Sequence, residues 1–272
     1  RNLAIEGMML TAACLGFAVA LYTSSPWLGV GAAALVGGGL AAVHAVLTIH
    51  GRVNHIISST VLNIFAVGFT GFMRRAVLLH TVHIAPAVLP AWQVPFLADI
   101  PVLGAVFFRH QPLVYIAWGL VVLMHGVLMY TPWGLRTRAV GEHPRAAESV
   151  GVPVVTLQYV NVISGGMLAG LAGAWFSLET VGAFDDMMTG GKGFIALAAM
   201  IFGQWLPWGA LGGALVFGFV DALQIKLQIA NFSIPYQFLS MAPYVVTMLL
   251  LVGFIGKAAP PGGVGQTYTR SL

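Results

Sequence analysis

Long apolar runs and short polar breaks alternate along the chain. Runs close to one bilayer thickness of helix fall at roughly 3–22, 27–48, 56–73, 112–130, 156–178, 193–204, 208–225 and 236–254. Their length, and the lack of the period-2 alternation of a membrane β-strand, exclude an outer-membrane barrel. The pattern predicts an all-α, polytopic membrane bundle of about eight transmembrane segments. The run at 193–204 is too short to span alone and reads as a broken or re-entrant segment. The next run carries Asp221.

One break stands apart. Ala139–Pro153, AVGEHPRAAESVGVP, and the turn before it, Thr131–Arg138, hold Arg136, Arg138, Glu142, Arg145 and Glu148. Such crowding of charge requires water. The punctuation is nevertheless that of a helix. Pro144 suits a first turn, where its missing N–H costs nothing. Ala146 and Ala147 favour the interior, and Gly151 suits the left-handed residue that closes a helix. A compact helix in a membrane protein's loop is a candidate knob for a soluble partner; the plain alternative is an ordinary surface helix.

Composition sharpens the membrane reading. The chain is 58% hydrophobic and 7% charged, with mean hydropathy +0.90, far above the roughly 45–50% apolar content of soluble domains. The net charge of +4 is small and dispersed, so nucleic acid is not an expected partner. Cys14, alone, forms no intrachain disulfide. Lys/Arg bias orients the chain. With Ala139–Pro153 cytoplasmic, strict alternation puts Arg1, Arg52, Arg136, Arg138, Arg145, Lys257 and Arg270 inside. Arg74, Arg75, Arg109, Lys192 and Lys226 then fall outside.

The expected organisation is one transmembrane domain over residues 1–272, with a cytoplasmic helix at about 141–151 and an outer loop at about 74–111. Pro86, Pro90, Pro95 and Pro101 rule out a long helix in that loop. Extended segments and short turns at the outer interface are expected instead, with Trp92 and Phe96 at headgroup depth. The tail, with Pro260, Pro261, Gly262 and Gly263, reads as flexible. Pro26-Trp27 and Pro207-Trp208 each open a Gly/Ala-rich helix, a faint repeat of the inverted kind common in transporters. Gly166-x-x-x-Gly170 and Gly209-x-x-x-Gly213 have the spacing at which helix backbones approach closely.

Polar groups inside the apolar layer invite functional readings. Asn63 lies deep in VLNIFAV, where it either lines a solute pathway or bonds a neighbouring helix. Asp221 reads as an interfacial carboxylate, and Glu6 as a cap or pair near the cytoplasmic face. His44 and His125 read as satisfied helix contacts. His80-x-x-His83 has ligand-like spacing without a carboxylate or Cys partner, so no metal is expected. Gly190-Gly191-Lys192-Gly193 lacks the spacing and the hydroxyl of a phosphate loop, and no G-x-S-x-G or H-E-x-x-H occurs. No cofactor is expected, and no energy source or catalytic constellation is visible.

Four segments carry a family resemblance: Asn2–Leu10 (NLAIEGMML), Thr131–Gly151 (TPWGLRTRAVGEHPRAAESVG), Gly193–Gly209 (GFIALAAMIFGQWLPWG) and Phe217–Gln224 (FGFVDALQ). The chain resembles permease subunits of bacterial ABC importers of the ribose and branched-chain amino acid type. It is most similar to the nucleoside and simple-sugar permeases that work with basic-membrane-lipoprotein type binding proteins. In that family an N-terminal membrane helix precedes the NLAIEGMML block, so that helix is expected to be missing here; His143 stands where Asn is commoner. The resemblance implies a coupling helix at Gly141–Gly151, with Gly141, Glu142, Pro144, Arg145, Ala146, Ala147, Glu148 and Gly151 seated in an ATP-binding subunit. It also implies a second permease subunit (a copy or a paired homologue), an extracytoplasmic substrate-binding lipoprotein, surrounding membrane lipids, and a multi-pass location in the bacterial cytoplasmic membrane.

The implied function is inward movement of a nucleoside or simple sugar, without chemistry of the chain's own; ATP is expected to be hydrolysed on a separate subunit. Two alternatives stay open at this point. A stand-alone secondary carrier would need a coupling-ion site, and deep carboxylates are scarce. A lipid-modifying membrane enzyme would need a polar catalytic cluster at one interface, and the polar residues are scattered.

Overall fold

The computed structural model describes residues 2–81, 88–93, 100, 104, 107–230, 241, 245, 248–249, 260–263 and 265. In chain order the helices are α1 (Ile5–Thr23), α2 (Pro26–Ala45, continued by a wider π turn, Val46–His50), α3 (His55–Ala76), α4 (Pro112–Tyr130), α5 (Pro132–Glu142), α6 (Pro144–Ser149), α7 (Val154–Ala174, continued by a π turn, Trp175–Thr180), α8 (Lys192–Phe202) and α9 (Pro207–Ile229). Six of these, counting each π turn with its helix, are long and apolar enough to cross a membrane. They coincide with six of the expected runs. At 11 residues, α8 is about 16 Å long and spans only part of a bilayer. The last expected run, 236–254, lies almost wholly outside the described residues.

The chain divides into two units, residues 1–120 with 143–193 and 265–272, and residues 121–142 with 194–264. In the first, α1 is the hub, packed by α2, α3 and α7. Lipid supplies no hydrophobic drive between helices, so close backbone approach carries the packing. Small residues make that approach available. A Cβ on Gly16 would stand 2.9 Å from Gly29 O. Gly37 and Gly166 meet backbone to backbone, Gly170 lies against Ala33 O, and Gly173 lies against Met9 O. The Gly166-x-x-x-Gly170 pair is therefore the seam between α2 and α7. In the second unit Gly213 packs on Ala199, with a Cβ position 2.9 Å from its carbonyl, and Gly209 abuts Gly203.

Hydroxyls inside the helices satisfy themselves. Thr11 donates to Gly7 O at 2.8 Å, Thr48 to His44 O at 2.7 Å and Thr70 to Ala66 O at 2.8 Å, the local back-bonding open to Thr in a helix.

The Pro-Trp repeat has a structural counterpart within each unit. A helix ends, the backbone turns left-handed, and Pro then opens the next long helix. The left-handed residues are Ser24 (φ 53°) before α2, and Gln204 (φ 55°) and Trp205 (φ 62°) before α9. Pro26 and Pro207 stand in the first turn of their helices.

In the loop after α3, Leu78–Thr81 forms a 3-10 turn, and Trp92–Gln93 pairs antiparallel with Arg109–His110. Leu89 N–H donates to Leu178 O at 3.1 Å. Glu179, buried in the π turn of α7, accepts Leu113 N–H at 2.7 Å and so caps the start of α4. Trp92 is 66% exposed; Phe96 lies outside the described residues.

Candidate functional site

In the polar segment α5 runs to Glu142, His143 leaves helical geometry at φ −138° and ψ 82°, and Pro144 opens α6. Ala147 N–H bonds His143 O at 3.0 Å, Val152 N–H bonds Ala147 O at 3.1 Å and Gly151 N–H bonds Glu148 O at 2.9 Å. Gly151 sits at φ 82°, a backbone state glycine adopts without steric cost. The helix therefore starts and stops where Pro144 and Gly151 say it does.

Its faces differ. Arg145, Ala146 and Ser149 are exposed and Glu148 is half-buried, while Val150 is 78% exposed. Ala147 is 4% exposed, turned inward beneath α6. Gly141 and Glu142 hold another part of the chain: Gly263 N–H donates to Gly141 O at 2.8 Å and Gly262 N–H to Glu142 Oε2 at 3.0 Å. The tail expected to be flexible is thus hydrogen-bonded at residues 262–263, because two glycine N–H groups find acceptors there.

Asn63 lies on α3, facing α1. Its Oδ1 accepts Gly7 N–H at 2.9 Å and its Nδ2 donates to Leu3 O at 3.1 Å. Four residues earlier Ser59 Oγ accepts Leu3 N–H at 3.1 Å. Gly7 N–H belongs to the first turn of α1 and has no partner within the helix, and Leu3 lies just before that helix. Both hydrogen-bonding groups of Asn63 are engaged by the backbone of residues 3 and 7, the helix-contact role open to it from sequence. Gly7 is required at this contact, since a Cβ would stand 2.8 Å from Asn63 Oδ1.

Glu6 makes the densest polar cluster. Its Oε1 accepts Thr189 Oγ1–H at 2.6 Å and Gly191 N–H at 2.9 Å; its Oε2 accepts Gly193 N–H at 2.7 Å. Successive N–H groups at a helix start are the backbone's anion site. The glycine run that lacks a phosphate loop's spacing receives an internal carboxylate instead. Glu6 is thus paired, as the sequence reading expected. It lies beside Gly7, level with Asn63, about 12 Å along α3 from His55, and joins residues 189–193. Alternation by loop charge puts the N-terminal residues and Lys192 on opposite faces; this contact brings residues 2–6 and 189–193 to one level. The signal in sequence was Gly190-Gly191 itself, at φ 54° and 80°.

The remaining polar residues divide. His44 Nδ1 and Ser58 Oγ are 2.9 Å apart, a buried helix contact. His125 is a ring contact, 5.9 Å from Trp208 and 6.1 Å from Tyr130, and its buried Nδ1 has no hydrogen-bond partner among the described residues. Asp221 lies on α9, which continues to Ile229. His83 lies outside the described residues, and among those described no group of three His, Cys, Asp or Glu stands together.

The described helices are those of a polytopic membrane protein with a structured polar helix between two spans. Residues 1–255 match the family described as branched-chain amino acid transport system / permease component, and the chain belongs to that family. It is 37% identical over 279 residues to the nucleoside ABC transporter permease protein NupC of Lactococcus lactis, covering 99% of this chain and 88% of that protein. It is 37% identical over 280 residues to the guanosine ABC transporter permease protein NupQ of Bacillus subtilis, with the same coverage, 99% and 88%. It is 34% identical over 294 residues to the putative glucose ABC transporter permease protein TsgC13 of Haloferax volcanii, covering 100% of this chain and 89% of that protein. No solved structure matches the chain significantly. The chain is a permease subunit of an ABC importer and a multi-pass protein of the cytoplasmic membrane. Permease subunits are not themselves enzymes; they work with an ATP-binding subunit and a substrate-binding partner.

Proposed function

We propose that this permease carries nucleosides inward across the cytoplasmic membrane, as one of two permease subunits, a copy or a paired homologue, embedded in lipid. The carrying observation is the 37% identity over 99% of the chain to permeases named for nucleoside and guanosine transport. ATP is hydrolysed on the separate subunit, and the substrate-binding partner is an extracytoplasmic lipoprotein that delivers the solute. The ATP-binding subunit docks on α6 through its exposed side, Arg145, Ala146 and Val150. Pro144 and Gly151 set the ends of the helix, Gly141, Glu142 and Glu148 shape its flanks, and Ala147 supports it from beneath. Closure of the ATP-binding subunits then moves the docked helices and rocks the bundles between inward- and outward-open states, a rigid-body transition between packed arrangements.

Asn63 is left out of the proposed pathway, because its amide oxygen and nitrogen hold the backbone of Gly7 and Leu3. The test is uptake of radiolabelled guanosine and glucose by proteoliposomes holding the complete transporter and its lipoprotein. Guanosine uptake that excess glucose leaves unchanged supports the proposal; ATP-dependent glucose uptake without guanosine uptake overturns it.

A further inference from the structure

Residues 181–191 run from the π turn of α7 to the start of α8 as bends and turns, without helix or strand. The segment is held at two levels. Arg74 Nη2 contacts Asp185 Oδ1 at 2.8 Å and Nη1 contacts Asp186 Oδ2 at 2.8 Å. Further along, Glu6 receives Thr189, Gly191 and Gly193 as described. The first level is that of Arg74 on α3; the second is that of Asn63, beside Gly7. Arg74 stands 11 residues after Asn63, about 16 Å along the helix axis. With 22 residues, α3 measures about 33 Å, close to the hydrocarbon thickness. The irregular segment therefore descends about half the depth of a spanning helix.

Backbone without regular hydrogen bonding at that depth is stable only where protein buries it or water lines it. Protein does not bury all of this one. Gly190, next to the Glu6 contact, is exposed, and no heavy atom lies within 4 Å of the position its Cβ would take. A lipid-facing surface is disfavoured by the Glu6 carboxylate and by the non-helical backbone beside it. We propose that the 181–193 segment lines the aqueous solute pathway, and that Glu6 is the hydrogen-bond acceptor at the inner end of that lining, suited to a solute bearing hydroxyl groups. A carboxylate has about four lone-pair sites, and three are occupied by Thr189, Gly191 and Gly193. One acceptor site is left for a solute hydroxyl. The proposal rests on the permease reading for there being a pathway, and its labelling arm on nothing about which solute moves.

The experiment places single thiols in a Cys14→Ser background in the complete transporter in proteoliposomes. Gly190→Cys and Lys192→Cys probe the segment. Ile64→Cys, 68% exposed on α3 and next to Asn63, reports the apolar face at the same depth. The reagent is the membrane-impermeant, positively charged trimethylammonioethyl methanethiosulfonate. Thiolates form in water and not in hydrocarbon, so Gly190→Cys and Lys192→Cys are expected to react at least about tenfold faster than Ile64→Cys. Equal rates for all three overturn the pathway assignment. Should the left-handed backbone at Gly190 reject Cys, Lys192→Cys carries the comparison. In a second arm Glu6→Gln, which retains one acceptor oxygen and loses the charge, is expected to raise the KM for guanosine uptake about tenfold, the loss of one charged hydrogen bond. A lowered melting temperature with unchanged KM would leave Glu6 a purely structural clasp and overturn that role. Absence of guanosine uptake in the unmodified transporter would instead count against the nucleoside reading alone.

Discussion

Asn63 Oδ1 accepts the backbone N–H of Gly7 at 2.9 Å, so a side chain midway along α3 provides a partner that the first turn of α1 lacks. Asn63→Leu holds the volume and removes both partners, leaving Gly7 N–H and Leu3 O unpaired at a cost of about 1–3 kcal/mol. The expected outcome is a lower melting temperature in detergent with the KM for guanosine unchanged. A raised KM at an unchanged melting temperature would return Asn63 to the solute pathway.

Ala146 and Ala147 are neighbours with opposite surroundings. Ala147→Arg forces a cation into a site now 4% exposed, an unpaired buried charge, so assembled protein should be lost. Ala146→Arg projects from the exposed side and should leave insertion and yield intact. In the complete transporter it is expected to cost about 2 kcal/mol of docking or more, as for a disrupted interface anchor, and to abolish transport-coupled ATP hydrolysis. Normal coupling in Ala146→Arg would exclude this face of α6 as the docking surface.

Gly170 and Gly31 make a packing test. A Cβ on Gly170 would collide with the backbone of Ala33 where α2 crosses α7, whereas at Gly31 nothing lies within 4 Å. Gly170→Ala should destabilise by about 1–3 kcal/mol, the usual cost of overpacking. Gly31→Ala, in a helix interior, should be neutral or stabilising by up to about 1 kcal/mol. Thermal unfolding of both variants, followed by intrinsic fluorescence, decides whether the seam is as tight as its geometry.

Nucleotide turnover separates the subunits. The chain carries no phosphate-cradling loop, and Gly191 and Gly193 donate to Glu6. Purified alone it should hydrolyse no ATP, and turnover should appear only when the ATP-binding subunit is added. Robust hydrolysis by the isolated chain would contradict the division of labour proposed above.

The sequence by itself determined the solvent, the fold class and the ends of the helices. Apolar runs of bilayer length leave a helix as the way to satisfy the backbone in lipid, and Pro26, Pro144, Pro207 and Gly151 mark boundaries by local sterics that need no neighbour. The charged stretch around Arg145 announced a structured helix in water for the same reason. Contacts between distant positions were decided only by the tertiary structure. Period and composition put Asn63 and Glu6 inside the apolar layer but carry no information about partners 56 and 187 residues away. Which of two adjacent alanines faces outward likewise depends on how α6 lies on the rest of its unit, since both are good helix formers. Gly190-Gly191 shows the limit most clearly: glycine announces a special backbone, and only packing against α1 makes that backbone the cradle of a carboxylate.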